Sequence, residues 1–251
     1  MRPRIVAAET LDGLAPDDPA AMRARRDLQR VHRVMGTRNI VVHALRAATA
    51  RGRDSEALRV LELGAGDGTL MLDIARNLQA HWPAVRLTLL DRLDLVGQAT
   101  IAQFAALGWT VTSQVSDVLT WAMTQGDARA DAGTSNHYDV IVANLFLHHF
   151  EADPLTRILG AIQARTPRFF ACEPRRSWLA LAGSHLVGAL GVSAVTRADA
   201  VLSVHAGFRD GDILNLWPAD SPGWILREYP AGLFSHCFYA ARSQPERAQC
   251  H

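Results

Sequence analysis

The sequence predicts an α/β protein in which a mostly parallel sheet carries helices on both faces, with a helical amino-terminal segment and an inserted lid. Three observations predict it. From Leu58 onward, apolar runs of strand length alternate with amphipathic stretches of helix length, the texture of strand–helix–strand units. A glycine-rich turn, Gly64-Ala65-Gly66-Asp67-Gly68, stands where the first apolar run passes into a helical pattern. The chain has 251 residues, 49% of them apolar, enough to build the core of one large domain or of a domain with a lid.

The elements follow in order. Asp17 and Asp18 before Pro19 form a cap and first-turn signal, and Met22, Leu28, Val31 and Val34 follow at helical spacing. Gly36 separates them from a second helical run, Ile40, Val41, Ala44 and Leu45, and the polar stretch 50–56 reads as a linker. Residues 1–56 are thus an amino-terminal helical segment, serving as a lid or as the surface of a homodimer. Residues 57–251 form the main domain. Strands are expected at 58–63, 86–91, 109–115, 138–144 and 168–173, with helices at about 68–80, 95–107 and 153–165. The polar stretch 125–137 reads as a surface loop. After Glu173 an apolar helix at 177–191 and the apolar segment 198–208 interrupt the pattern, so about 174–207 is expected as an insertion over the carboxyl edge of the strands. A helix near 209–217 and the runs 223–230 and 234–242 then finish the sheet, the last two as antiparallel strands. The tail from Ser243 reads as frayed.

The glycine turn carries the chemistry. Gly64, Gly66 and Gly68 stand at the end of an apolar strand, where a turn needs unusual dihedrals and a ligand must approach bare backbone. A dinucleotide site would read G-x-G-x-x-G, whereas here the spacing is G-x-G-x-G, with Thr69 where the third glycine belongs. Together with Glu62 inside the strand, this resembles motif I of the class I S-adenosylmethionine-dependent methyltransferases. The resemblance covers about residues 58–173 and implies a Rossmann-like, seven-stranded, mostly parallel sheet that binds S-adenosylmethionine and releases S-adenosylhomocysteine.

The resemblance also implies a donor site. Glu62, Gly64, Ala65, Gly66 and Gly68 would form its first wall. Asp91, with Arg92 beside it, ends the second strand, where a carboxylate accepts both ribose hydroxyls; Asp91 also reads as a helix cap. Asp117 and Val118 follow the third strand, where the family holds adenine with a carboxylate and a backbone amide, and Asp117 as a helix cap fits equally. Asn144 and Leu145 follow the fourth strand, which resembles motif IV, facing the methyl group.

Methyl transfer is one in-line displacement, so the protein's task is alignment and exclusion of water. A base is needed only when the acceptor carries a proton, and a histidine suits that role. His148 and His149 are the catalytic candidates, with packing against the donor pocket as the competing reading. Glu173 ends the fifth strand, placed to orient an imidazole, to bind the acceptor, or to pair with Arg175 and Arg176 as a structural residue. His32, His185 and His205 are weaker candidates. Leu, Val and Ala in the first helices and the insertion, with Trp178, point to an apolar acceptor pocket or to core packing.

Several classes are disfavoured. A formal net charge of +1 gives no field to gather phosphates, so no nucleic acid is expected as partner. All 26 basic residues are arginine, which leaves no lysine for a Schiff base. Cys172, Cys237 and Cys250 are too few and scattered for a disulfide framework or zinc site, and no Asp, Asn and His cluster at ligand spacing argues for a metal. No stretch reads as a secretory signal or membrane span, so a soluble, cytoplasmic protein is expected. The expected activity is methylation of a small, largely apolar acceptor of phenolic, quinone or polyketide type, with O-methylation preferred over C-methylation. A non-methylating S-adenosylmethionine-binding partner subunit, an RNA or protein methyltransferase and, remotely, an oxidoreductase are the alternatives.

Overall fold

Buried strands need apolar side chains on both faces, and that requirement selects the centre of the sheet. The computed structural model describes residues 3–49, 57–82, 84–124 and 137–243. The expected linker at 50–56, the loop at 125–137 except His137, and the tail beyond Ser243 lie outside the described residues. Strands β1 (Leu58–Leu63), β2 (Val85–Asp91), β3 (Trp109–Val115), β4 (Val140–Asn144) and β5 (Arg168–Pro174) run parallel, and β6 (Trp224–Ala231) and β7 (Ser235–Arg242) pair antiparallel at one side. The spatial order is β3-β2-β1-β4-β5-β7-β6. Every residue of β4 is buried, whereas the edge strand β6 alternates along its length, as one face in contact with solvent demands.

Two helical layers cover the sheet. On one face α2 (Thr37–Thr49), α3 (Thr69–Leu78) and α4 (Gln98–Ala106) bury Val41, Leu45, Met71, Ile74, Leu78 and Phe104. On the other, α5 (Val118–Met123) and α6 (Ala152–Arg165) bury Val118, Trp121, Leu155, Ile158, Leu159 and Ile162. The chain moves outward from β1 to β3 and then returns to β4 on the opposite side of β1. At such a switch point the connections diverge and a crevice opens at the carboxyl ends of the strands.

The crevice is roofed by the segments before β1 and after β5. Helix α1 (Pro19–Met35) begins where the Asp18 carboxylate accepts from Ala20 N at 2.7 Å, and ends at Gly36 with φ of 68°. Helices α7 (Trp178–Leu186) and α8 (Ala194–Ala206) follow β5, each capped by a serine, Ser177 and Ser193. Asp27 of α1, buried to 1% exposure, accepts from Ser193 N at 2.7 Å and from Thr196 Oγ1 at 3.3 Å, which ties α1 to the start of α8. Before α1 the chain forms a strap. Ile5 N donates to His205 O at 3.2 Å, Thr10 and Leu11 donate to Asp199, and Arg4 donates to the carbonyls of His148, Phe150 and Ala206.

Five elements differ from the sequence expectation. The helix expected at 177–191 stops at Leu186 and tightens into a 3-10 turn, Val187–Leu190, closed by Gly191 at φ 71°. The apolar segment 198–208 belongs largely to α8, whose buried faces leave little periodicity to read. No α-helix forms at 209–217: Asp210 and Gly211 both have positive φ, and only a 3-10 turn, Leu214–Leu216, follows. Helix α5 was not expected, being too short to show a period, and α4 starts at Gln98 rather than near residue 95. Among the described residues no helix is long and apolar enough to cross a membrane.

Candidate active site

The glycine turn lies at the carboxyl end of β1, between the ends of β2 and β4. Gly64, Gly66 and Gly68 all have positive φ, at 68°, 55° and 74°, a region that costs other residues about 1–2 kcal/mol. Their surroundings separate their roles. A Cβ on Gly64 would fall 2.1 Å from Phe146 Cδ2, so this glycine admits the ring, whereas a Cβ on Gly66 would meet nothing within 4 Å. Gly68 precedes α3 and packs against Leu89, away from the cavity wall.

Acidic groups surround the turn. The Asp91 carboxylate accepts from Gly66 N at 2.9 Å and from Leu93 N at 3.0 Å, fixing both the turn and the exit of β2. Glu62 is buried, and burial, assisted by the charges of Asp67 and Asp91, pushes its pKa up to about 8. Among the described residues its Oε2 has no hydrogen-bond partner, and neither has the buried Asn144 Oδ1. Asp117 caps α5 by accepting from Leu119 N at 2.7 Å and Thr120 N at 3.2 Å, and it still lines the cavity beside Val118. Arg92 donates to Asp12 of the strap instead of projecting alone toward a ligand.

Beyond β4 the backbone bends sharply. Leu145 has φ of 48°, a costly conformation for a side chain of its size. The bend persists because Leu145 N donates to Cys172 O at 2.9 Å and because Glu173 Oε1 accepts from Phe146 N at 3.1 Å and Leu147 N at 3.0 Å. The bend leads into a 3-10 turn, Leu147–His149. His148 Nδ1 stands 2.9 Å from Glu173 Oε2, and Glu9 Oε1 of the strap stands 3.4 Å from Nε2. Burial lowers the His148 pKa, but the two carboxylates outweigh it and hold it up to about 9. Burial likewise works to raise Glu9, and the His148 ring holds it below the usual range. His149 is shifted down by burial and by the neighbouring His148, with Asp12 Oδ2 at 3.4 Å from Nδ1.

One cavity of about 740 Å³ contains both groups of residues, within the size range of small-molecule sites. Its wall includes Glu62, Gly64, Ala65, Gly66, Asp91, Arg92, Asp117, Val118, Asn144, Leu145, His148 and His149, which the fold thus brings together. Glu173 does not line it: fully buried, it holds the 3-10 turn and His148 from behind and is a positioning residue. His32 lines the cavity, and burial, opposed by Asp67, pushes its pKa down to about 4. His185 and His205 lie off the wall, and Trp178 is 71% exposed, so it forms no part of an apolar pocket. Sequence reading missed Glu9, Asp12, Gln29 and Ser203, all on the wall. The strap also brings Glu9 to His148 and His149 from far along the chain, with one ligand atom of each within 4.8 Å of the other two. No local spacing carries that signal.

A family model described as a methyltransferase domain matches residues 26–230. No curated protein matches the chain. Among solved structures, the plantazolicin methyltransferase BpumL in complex with SAH is similar at 12% identity and TM-score 0.63, over 90% of this chain and 91% of that one. An O-methyltransferase family protein from Burkholderia thailandensis is similar at 16% identity and TM-score 0.56, over 92% of this chain and 64% of that one. Magnesium protoporphyrin IX methyltransferase (ChlM) from Synechocystis PCC 6803, with bound SAM, follows at 15% identity and TM-score 0.50, over 93% and 88%. At these identities the likeness is one of fold, and the family match carries the assignment: the chain belongs to the methyltransferase domain family, within the class I S-adenosylmethionine-dependent methyltransferases whose first motif it resembles at Gly64–Gly68.

Proposed function

We propose that the protein transfers a methyl group from S-adenosylmethionine to a small, largely apolar acceptor of phenolic, quinone or polyketide type, with oxygen as the preferred nucleophile. The observation that carries this reading is the single cavity that joins the glycine turn to an apolar wall of Leu28, Val31, Met35, Leu186, Val187 and Leu190. The residues fit such a donor. Glu62 Oε2 and Asn144 Oδ1 are buried acceptors lacking a partner on that wall, which suits a ligand bearing an ammonium group. The open space over Gly66 lets a ligand lie against backbone.

S-adenosylmethionine, when bound, supplies a methyl carbon activated by positive sulfur. Glu62 and Asn144 would hold its amino-acid end, Asp91 its ribose hydroxyls, and Asp117 with the Val118 amide its adenine. Gly64, Ala65 and Leu145 wall the space between them. The apolar wall excludes water and orients the acceptor by shape. Glu9, His148, His149 and Asp12 form the polar patch in that wall where an acceptor hydroxyl finds hydrogen-bond partners, and this patch favours oxygen over carbon.

Isothermal titration calorimetry with S-adenosylhomocysteine, with NAD as control, tests the donor assignment. Micromolar binding of the former alone is expected, followed by methylation of simple phenols in the presence of S-adenosylmethionine. Binding of NAD in its place would overturn the reading.

A further inference from the structure

We propose that Glu9, His148 and His149 form a binding site for one divalent transition-metal ion, zinc-like in its ligand preference, in the cavity wall. One ligand atom from each of the three lies within 4.8 Å of the other two. They come from separate places, the strap and the 3-10 turn after β4, and the fold brings them together.

Three features mark the cluster as built for a cation. First, His148 is oriented from behind. Glu173, itself fixed by Phe146 N and Leu147 N, holds Nδ1 at 2.9 Å. That bond aims Nε2 outward, and Nε2 is a buried polar atom with no hydrogen-bond partner. A carboxylate behind one ring nitrogen and an unshared position on the other is the arrangement that orients metal-ligating histidines.

Second, the spacing suits coordination better than pairing. Nε2 and Glu9 Oε1 are 3.4 Å apart, an ion-pair distance longer than the usual N–H···O bond. Two ligands each about 2.1 Å from a shared tetrahedral ion stand about 3.4 Å apart. The same Glu9 Oε1 accepts a hydrogen bond from the Ser203 hydroxyl, which fixes its position. His149, whose ring centroid lies 4.2 Å from that of His148, has Asp12 3.4 Å behind Nδ1, which repeats the carboxylate–histidine relation.

Third, the charge is right. Glu9, Glu173 and Asp12 surround two imidazoles, and a pocket edged by three carboxylates favours a dication. Two nitrogens and one carboxylate suit zinc, cobalt or ferrous ions better than magnesium or calcium, which take all-oxygen shells.

All three ligands line the cavity, so the remaining coordination positions face the acceptor space. A hydroxyl bound there would be acidified: its O–H bond breaks, the electron pair stays on the oxygen, and the proton passes to water. That use rests on the methyltransferase reading, whereas the site itself does not.

Cobalt titration tests it. Untagged full-length protein, stripped with chelator, is titrated with Co2+ and followed by visible d–d absorption. One saturating equivalent is expected, with affinity at least about tenfold weaker in Glu9→Gln and in His149→Ala. His185→Ala, on the exposed face of α7, serves as the histidine control and is expected to bind like the wild type. Circular dichroism of each variant establishes that it is folded, and the isosteric Glu9→Gln alters only a strap residue. No saturable binding, or affinity unchanged in both ligand variants, or an equal loss in His185→Ala, would overturn the site. S-adenosylhomocysteine titration of the same stripped protein reports the donor pocket separately, so its failure would count against the methyl-transfer reading and leave the cobalt result standing.

Discussion

Single side chains decide how the donor pocket meets charge. Asp91 is already committed to two backbone amides, yet each carboxylate oxygen keeps lone pairs for the ribose contact proposed above. Asp91→Ala is therefore expected to weaken S-adenosylhomocysteine binding about 10- to 100-fold, by loss of charge-assisted hydrogen bonds, and unchanged affinity by calorimetry would remove it from the site. Glu62 gives a pH dependence. Its folded pKa, raised to about 8 from 4.5, means that folding favours the protonated acid. The contribution to stability is complete below pH 4.5 and is lost as pH rises through about 8. Wild type should lose stability relative to Glu62→Gln between pH 5 and pH 8, by a few kcal/mol at about 1.4 per unit, measurable by urea unfolding at both pH values. A pH-independent difference would mean that Glu62 is ionised in the folded protein. Because an ammonium group favours the carboxylate, S-adenosylhomocysteine binding near pH 7 should release protons, read by calorimetry in buffers of different ionisation enthalpy.

At the scale of elements, the turn after β1 and the bend after β4 form one assembly. Phe146 occupies the space that a Cβ on Gly64 would need, and Glu173 holds the bend that presents Phe146. Gly64→Ala is thus expected to cost roughly 2–4 kcal/mol of stability, from the displaced ring and the positive φ. Gly66→Val meets no such neighbour. It should cost only about 1–2 kcal/mol while abolishing S-adenosylhomocysteine binding. Urea midpoints and calorimetry on the two variants separate the cases, and a Gly66→Val protein that binds normally would mean that this glycine faces away from the donor.

Across the whole molecule, the cavity is closed by parts that do not belong to the sheet. Gln29 of α1 donates to Asp67 and to Thr69 Oγ1, and Arg92 holds the strap through Asp12, so the roof is hydrogen-bonded to the donor turn itself. Ligand binding at the turn should then be felt in the roof. Hydrogen exchange in α1 and in residues 5–13 is expected to slow several-fold with saturating S-adenosylhomocysteine, together with that of residues 64–69. Protection confined to 64–69 would show that roof and donor pocket move independently.

The sheet was legible in the sequence because its information is local. Continuous apolar runs mark parallel strands buried on both faces, Gly36 and Asp18 mark helix ends, and the G-x-G-x-G spacing marks the turn. The residues proposed for the donor were legible for the same reason, since each lies at or near a strand end whose position in the crevice is fixed by topology. Short or doubly buried helices were harder: α5 has too few residues for a period, and α8 is apolar on more than one face. What only the tertiary structure decided is the acidic surround of the histidines. Glu9 and Asp12 come from a strap with no motif and reach His148 and His149 only because the Arg4 side chain binds the 3-10 turn and the Thr10 and Leu11 amides bind Asp199 of α8. Likewise the sequence left several partners open for Glu173, and packing around the strained bend at Leu145 decided that it stands behind His148. Periodicity and spacing record what neighbours in sequence must do, whereas a cluster assembled from distant segments is fixed by packing and by the pairing of buried polar groups.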